Sequence, residues 1–259
     1  MAVFIAASDE SYLHGNHRNP FFYGGFLAPL SDWSGLFAER WKKEVLDGPP
    51  GIPWLHMVDI RSKRWREENG ITRYQAEERV KIAFEIISDI SSLTPIGTDL
   101  NSGHLLDTFT KKLCLRSGAV RRFEPDYLAF VAYAYLVLDF CERARLDVEK
   151  VDFVVERNSN ITKHIKEFYE DMPAGLHSIG LGRLVPLLGE LIPGGKDRAP
   201  LQAADLLCWY SQRYRAGDLD DKNSRRYKII AQRKGVRMDL TDNNVTQLWK
   251  IVTSDALKL

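Results

Sequence analysis

The sequence predicts an α/β domain in which a mixed β-sheet is flanked by helices. Two observations predict this class: short apolar runs of strand length come first, and strand-like and helix-like runs alternate further along the chain. The 259 residues and the 44% hydrophobic fraction are enough to bury one sizeable core. We therefore expect one main domain over residues 1–216, with a helical insertion. Residues 217–259 are expected to form a basic helical C-terminal extension packed on the same domain.

The first hundred residues contain several predicted elements. Residues 2–8 and 21–28 are predicted as strands of one sheet, and Ser31 is predicted to cap a helix that continues to about Val45. Residues 54–60 are expected to form a short strand or an extended segment. Thr72 and Gln75 fit a capping box, which predicts a helix to about residue 92, and residues 93–100 fit another strand.

The second half of the chain alternates helices and strands. We expect a long helix over about 125–145, a strand over 151–156, and a helix that Ser159 or Asn160 caps and that runs to residue 171. Residues 176–181 and 184–192 are ambiguous, each short enough for a strand, and residues 193–195 are expected to form a loop. Pro200 suits the first turn of a helix that ends near residue 216.

Composition points to the compartment rather than to the partner. The formal net charge is only +1, and Cys114, Cys141 and Cys208 are far apart, which favours buried thiols over a zinc site. The longest apolar stretch, residues 128–138, is well under the ~18 residues of a membrane span. No segment resembles a targeting signal. We therefore expect a cytoplasmic protein with no membrane contact.

Three acidic residues stand at the ends of predicted core elements. Asp9 ends the first strand, Glu156 ends a middle strand, and Asp205 lies on the late apolar helix. Burying them together without a cation would cost several kcal/mol. Mg²⁺ and Mn²⁺ prefer such hard oxygen ligands. The sequence therefore predicts a divalent-metal site in which these acids are ligands and catalytic residues.

Four further residues are candidates for the same site. Gln202 shares a helix face with Asp205, where it would orient a water molecule or a carboxylate. Glu10 points to the other face of its strand, where it either contributes an outer contact to the metal or faces water. His56 is either a proton carrier or a structural histidine. Asp59 is a candidate fourth acidic ligand.

The order of these acids along the chain matches that of the ribonuclease H-like fold, which places metal-binding carboxylates on elements of this kind. In such sites two Mg²⁺ ions lie ~3.5–4 Å apart, one activating water and the other stabilising the leaving oxygen of a phosphodiester. Separated acids are common in proteins, so the spacing by itself is not specific for this fold.

Several segments resemble the domain-of-unknown-function family 3800. They are Ser8-Asp9-Glu10-Ser11, Phe21-Phe22-Tyr23-Gly24-Gly25-Phe26, a helix with Trp33 and Trp41, His56 with Asp59, Glu156, and Leu201-Gln202-Ala203-Ala204-Asp205-Leu206-Leu207. The resemblance extends to about Tyr214, and Tyr12 departs from the Gly of many members. It implies a ribonuclease H-like core, metal-dependent nuclease activity, and a setting near mobile elements or defence genes.

The C-terminal part of the chain is locally basic. Residues 213–237 contain nine basic residues against three acidic ones, with Tyr214 and Tyr227 interleaved. Such a patch can follow a nucleic-acid backbone. The alternative is that these charges neutralise acids elsewhere in the fold. The candidate nucleic-acid contacts are Arg213, Arg225, Arg226, Lys228, Arg233 and Lys234.

Together these patterns predict a Mg²⁺- or Mn²⁺-dependent hydrolase acting on DNA or RNA. One alternative is a non-catalytic ribonuclease H-like module that binds nucleic acid or a partner protein. Another is a small-molecule phosphohydrolase that uses the same acids. The sequence leaves open the choice between DNA and RNA, and whether the chain forms a homo-oligomer.

Overall fold

The computed structural model describes residues 1–11, 21–100, 125–157 and 161–240. The strands in these ranges are β1 Ala2–Ser11, β2 Phe21–Pro29, β3 Thr94–Leu100, β4 Val148–Glu156, β5 Leu188–Gly194 and β6 Val236–Leu240. Helix α1 spans residues 30–46 as four consecutive pieces, Leu30–Asp32, Trp33–Phe37, Ala38–Arg40 and Trp41–Leu46. The other helices are α2 Met57–Arg61, α3 Lys63–Glu68, α4 Arg73–Asp89, α5 Pro125–Arg143, α6 Ile161–Ser178, α7 Ala199–Ala216 and α8 Asp221–Ala231, with a 3-10 turn at Gly182–Leu187.

The described strands form one sheet in the order β5-β4-β1-β2-β3-β6. Strand β2 runs antiparallel to both of its neighbours, whereas the β1–β4, β4–β5 and β3–β6 pairs are parallel. The central strand β1 therefore has a parallel partner on one side and an antiparallel partner on the other. This arrangement confirms the predicted α/β class with a mixed sheet flanked by helices.

Helices cover both faces of the sheet. Ile5 and Ala7 of β1 point into a core shared with α1, α4 and α7, while Ala6 points into a second core shared with α5 and α6. A strand covered on both faces is apolar at successive positions, which explains the unbroken apolar run in residues 2–7. The site described below lies on the α7 side of the sheet.

Two predicted helix boundaries have the expected chemistry. The Thr72 hydroxyl accepts a hydrogen bond from the backbone N–H of Gln75, and Gln75 Oε1 accepts one from the backbone N–H of Thr72. The predicted capping box of α4 is therefore confirmed. Helix α7 has Pro200 in its first turn and ends at Gly217, whose φ of 74° lies in the left-handed region that favours glycine.

The expectation of a strand or extended segment over residues 54–60 is wrong for its second half, where Met57–Arg61 forms the short helix α2. The segment pairs with no strand of the described sheet. Instead, side chains of α7 accept the backbone N–H groups of Leu55 and Met57. Tertiary hydrogen bonds therefore decide the local conformation, and the apolar spacing alone did not reveal them.

We expect a helical C-terminal extension, and this prediction is wrong for residues 236–240. Helix α8 is followed by strand β6, which extends the sheet beside β3. Val236, Met238 and Leu240 are more buried than the charged residues between them, which is a strand pattern that the high charge obscured in the sequence. Residues 241–259 lie outside the described residues, as do Cys114, Tyr12 and the candidate caps Ser159 and Asn160.

Two observations bear on the expectations from composition. Cys141 and Cys208 are buried free thiols, as predicted. In the part of the chain that the structure describes, no helix combines the length and the hydropathy needed to cross a bilayer.

Candidate active site

Helix α7 and strand β1 bring two of the predicted acids together. Asp205, Cys208 and Gln212 recur at helical spacing on the face of α7 that packs on β1. The Cys208 thiol donates to the backbone oxygen of Asp9 at 3.1 Å, and the Ser11 hydroxyl donates to Gln212 Oε1 at 2.5 Å. These contacts fix the end of β1 against the helix, so Asp9 and Asp205 line the same pocket.

Asp9 is a buried carboxylate in a negative environment. Asp9 is only 6% exposed to solvent. Burial is the largest cause that raises the pKa of Asp9 well above its usual range, and the charge of Glu10 is the second. The charges of Asp205 and Glu156 raise it further. The site is thus arranged so that a cation would relieve the repulsion among its carboxylates.

Asp205 links the pocket to the short helix α2. Its Oδ2 accepts the Met57 N–H at 2.6 Å, and its Oδ1 lies 3.9 Å from His56 Nε2. Burial raises the pKa of Asp205 to about 6, although His56 and the Met57 amide act in the opposite direction. The carboxylate therefore serves as the N-terminal cap of α2 and as a wall of the pocket.

Glu156 reaches the same pocket from the end of β4. Strands β1 and β4 are parallel, and Ser8 is aligned with Val155, so Asp9 and Glu156 are the next aligned pair. Aligned residues of parallel neighbours project to the same face of a sheet. Accordingly Glu156, which is half-buried, lines the pocket together with Asp9 and Asp205.

His56 lies in a charged cluster at the pocket wall. Its Nδ1 is 3.1 Å from Asp59 Oδ2, and Lys196 Nζ is 3.3 Å from the same oxygen. Burial opposes ionisation of Asp59, yet the hydrogen bond from Trp54 and the charges of His56 and Lys196 hold the pKa of Asp59 below its usual value. Asp59 thus orients the histidine and does not itself line the pocket.

Gln202 cross-links the segments that surround the pocket. Its Oε1 accepts from Trp41 Nε1 at 2.7 Å and from the Leu55 N–H at 3.0 Å. Its Nε2 donates to the Lys196 backbone oxygen at 2.8 Å. Gln202 is 2% exposed, and its three hydrogen bonds hold the surrounding segments together. It positions the loops that carry His56 and Lys196, a role different from the predicted orientation of water or carboxylate.

The pocket itself is narrow. Its free volume is about 10 Å³, which is room for about one water-sized group. Among the described residues, no three His, Cys, Asp or Glu side chains lie close enough together to bind one metal ion. The donor set of three carboxylates nevertheless suits Mg²⁺ or Mn²⁺. Ligation by all three would need their carboxyl groups to lie closer together than they do here. The pocket is lined by Asp9, Leu55, His56, Glu156, Lys196, Leu201, Gln202 and Asp205.

The structure does not bring Glu10 to this pocket. Glu10 is aligned with Tyr23, whose ring packs in the core on the opposite face of the sheet. Its charge still acts on Asp9, its neighbour in the strand.

None of the six predicted nucleic-acid contacts lines the pocket. Arg213 stacks on the Trp209 ring at 3.7 Å, and Arg233 donates to the carbonyl groups of Ile87 and Ile90 at the end of α4. Arg226 is half-buried, whereas Arg225, Lys228 and Lys234 are exposed. The set is therefore divided between structural contacts and open surface.

Sequence reasoning missed Lys196. This residue places a positive charge on the pocket wall, where its Nζ also lies 3.4 Å from His56 Nδ1. The available signal was weak: a lysine directly after the Gly194-Gly195 pair and just before the helix that carries Gln202 and Asp205.

Comparison of the chain with family models, with curated proteins and with solved structures finds no match. The resemblance to family 3800 therefore rests on its motif residues alone. The function has to be argued from the chemistry of the pocket.

Proposed function

We propose that this protein is a Mg²⁺- or Mn²⁺-dependent nuclease that hydrolyses phosphodiester bonds of DNA or RNA. One observation carries the proposal. Asp9, Glu156 and Asp205 come from β1, β4 and α7, yet they line one pocket. The charges of Asp205 and Glu156 raise the pKa of Asp9, and acids with such perturbed pKa values are characteristic of functional sites.

We further propose that the core is ribonuclease H-like. The described strands β3-β2-β1-β4-β5, with β2 reversed, follow the order of that fold. The positions of the acids on the first strand, the fourth strand and a late helix also support it. A defence or mobile-element setting follows only from the resemblance to family 3800.

The chain supplies distinct groups for hydrolysis. Asp9, Glu156 and Asp205 would hold the ion, which when bound would supply a Lewis acid for the phosphodiester and a more acidic water. His56 is oriented by Asp59 so that its Nε2 can hold a proton at the pocket wall. Lys196 adds a positive charge at the same wall, where it would attract a phosphodiester group.

Replacement of Asp9 tests the proposal. The Asp9→Asn variant keeps the size of the side chain and removes its charge, so we expect cleavage of DNA or RNA oligonucleotides with Mn²⁺ or Mg²⁺ to fall at least ~100-fold. Loss of mere outer contacts to a metal already costs 10–100-fold. The control is Asp139→Asn, which changes a buried carboxylate that pairs with Arg143 on α5.

Unchanged cleavage by Asp9→Asn would remove Asp9 from the mechanism. Turnover of mononucleotides without turnover of oligonucleotides would show a small-molecule phosphohydrolase. Salt-sensitive binding with no metal-dependent turnover would show a binding module.

A further inference from the structure

A second pocket lies at the other end of helix α2. Met57, at the start of this helix, donates its N–H to Asp205 in the acidic pocket, whereas Ile60 and Arg61, at its end, line the second pocket. The second pocket has a volume of about 210 Å³. Its walls are Ile60, Arg61, Arg66, Arg73, Ala76, Glu77 and Val80. Arg61, Arg66 and Arg73 are not among the residues predicted for the metal site or for nucleic-acid contacts.

The second pocket has an excess of positive charge. Three arginines line it against one acid, Glu77, which accepts a hydrogen bond from Arg61 Nη1 at 2.8 Å. The other terminal nitrogen of Arg61, Nη2, is buried and is therefore closed to a ligand in this pocket. The net positive charge of this lining favours an anionic ligand.

Contacts with neighbouring groups fix the positions of two of these arginines. Arg66 Nη1 donates to the backbone oxygens of Ile60 and Arg61 at 3.0 and 2.7 Å. The Arg61 guanidinium lies 5.0 Å from the Trp209 ring centre, on which Arg213 also stacks. A preorganised guanidinium binds an anion with a smaller entropic cost.

Arg73 completes the pocket from the first position of α4. It is exposed, and no described residue forms a hydrogen bond or ion pair with it. The positive end of this 17-residue helix lies at the same position. Planar guanidinium groups around a cavity match the tetrahedral oxygens of a phosphate group, to which arginine binds in a bidentate manner.

We propose that the pocket formed by Arg61, Arg66 and Arg73 binds a backbone phosphate of a nucleic-acid strand whose neighbouring phosphodiester enters the acidic pocket. The five residues from Met57 to Arg61 span ~6 Å of helix, four steps of about 1.5 Å each. The two pockets therefore lie at the two ends of one short helix, where a single strand would contact both. This inference rests on the proposed nuclease function and locates the strand on α2 instead of the C-terminal basic residues.

Charge reversal at Arg73 tests the inference. Binding of a labelled single-stranded oligonucleotide, DNA or RNA, is measured by fluorescence anisotropy with chelator present and over a range of salt concentrations. We expect Arg73→Glu to weaken binding at least ~10-fold and to lower the salt slope by about one. Arg73→Ala should weaken it less. The matched control is Arg64→Glu, an exposed arginine on the adjacent helix α3 that does not line the pocket.

Equal losses in Arg73→Glu and Arg64→Glu would overturn the inference, even if the protein cleaves nucleic acid. Arg73-dependent binding of inorganic phosphate without oligonucleotide binding would overturn the assignment to a strand. Arg73-dependent binding of the oligonucleotide, with no cleavage by the metal-loaded protein, would support the pocket while refuting the nuclease function. Circular dichroism of each variant establishes that it is folded.

Discussion

The Asp205 side chain has two opposite effects on the free energy of unfolding. Its carboxylate stabilises α2 by accepting the Met57 N–H, yet it is buried near other acids. Proteins commonly tolerate such destabilising groups at functional sites. We therefore expect the metal-free protein to contain unrelieved repulsion at neutral pH, centred on Asp9 and Asp205.

The pH dependence of stability measures this repulsion. The pKa of Asp205 is raised from 3.8 to about 6, so the folded chain retains a proton that the unfolded chain has already released. The stabilising contribution of this group is complete below pH 4 and is lost as pH rises to about 6, on the order of 3 kcal/mol. In urea titrations with chelator, the free energy of unfolding of the wild type should fall relative to Asp205→Asn across this window.

The control for this measurement is Asp139→Asn, which alters a buried aspartate paired with Arg143 outside the pocket. It should keep the wild-type slope between pH 4 and pH 6. A wild type that gains stability relative to Asp205→Asn as pH rises would contradict the assignment of repulsion to this carboxylate.

At the residue scale, the sequence indicated the acids better than their supporting groups. Asp9, Glu156 and Asp205 follow apolar runs or stand within them, a pattern visible in the chain. The sequence did not indicate the positions of the supporting groups, which are Lys196 and the backbone N–H groups of Leu55 and Met57. Their roles depend on tertiary contacts with α7, and short-range periodicity contains no information about such contacts.

At the element scale, one glutamine connects three segments. Gln202 on α7 ties together α1, the segment before α2, and the loop that contains Lys196. Replacement by Leu would leave three buried polar groups without their partner. We expect Gln202→Leu to lower the free energy of unfolding by roughly 3 kcal/mol, and to reduce cleavage because His56 and Lys196 lose their support.

Gln212→Leu is the matched control, since Gln212 is also buried on α7 and accepts the Ser11 hydroxyl. It should lower stability in urea titrations but reduce cleavage less than Gln202→Leu does, at a temperature where both variants are folded, because its contact with Ser11 lies two residues beyond Asp9. Equal activity in the two variants would show that Gln202 does not position the site.

The elements themselves were predictable where local chemistry determines them. The capping box of α4 and the proline and glycine at the ends of α7 were visible in the chain. Helix α2 and strand β6 were not, because their backbone hydrogen bonds are formed with distant elements. The charge of residues 221–240 concealed the alternating pattern of β6.

At the scale of the whole molecule, the small net charge conceals a separation of charge. The acidic pocket and the arginine pocket lie at opposite ends of α2, on the side of the sheet that α1, α4 and α7 cover. Some of the C-terminal cations instead pair with acids of the fold. Arg237 pairs with the buried Asp99, and Arg215 contacts both Asp99 and Asp239. The alternative that these charges neutralise acids within the fold therefore holds for part of the set.

The most direct test is whether distant carboxylates bind one cation together. Isothermal titration of Mn²⁺ into metal-free protein at neutral pH should show saturable binding in the wild type and in Asp139→Asn. In Asp9→Asn and Asp205→Asn, the affinity should fall by at least ~100-fold, since each removes a charged ligand. Equal Mn²⁺ affinity in all four proteins, or no saturable binding to the wild type, would contradict a metal site shared by β1, β4 and α7.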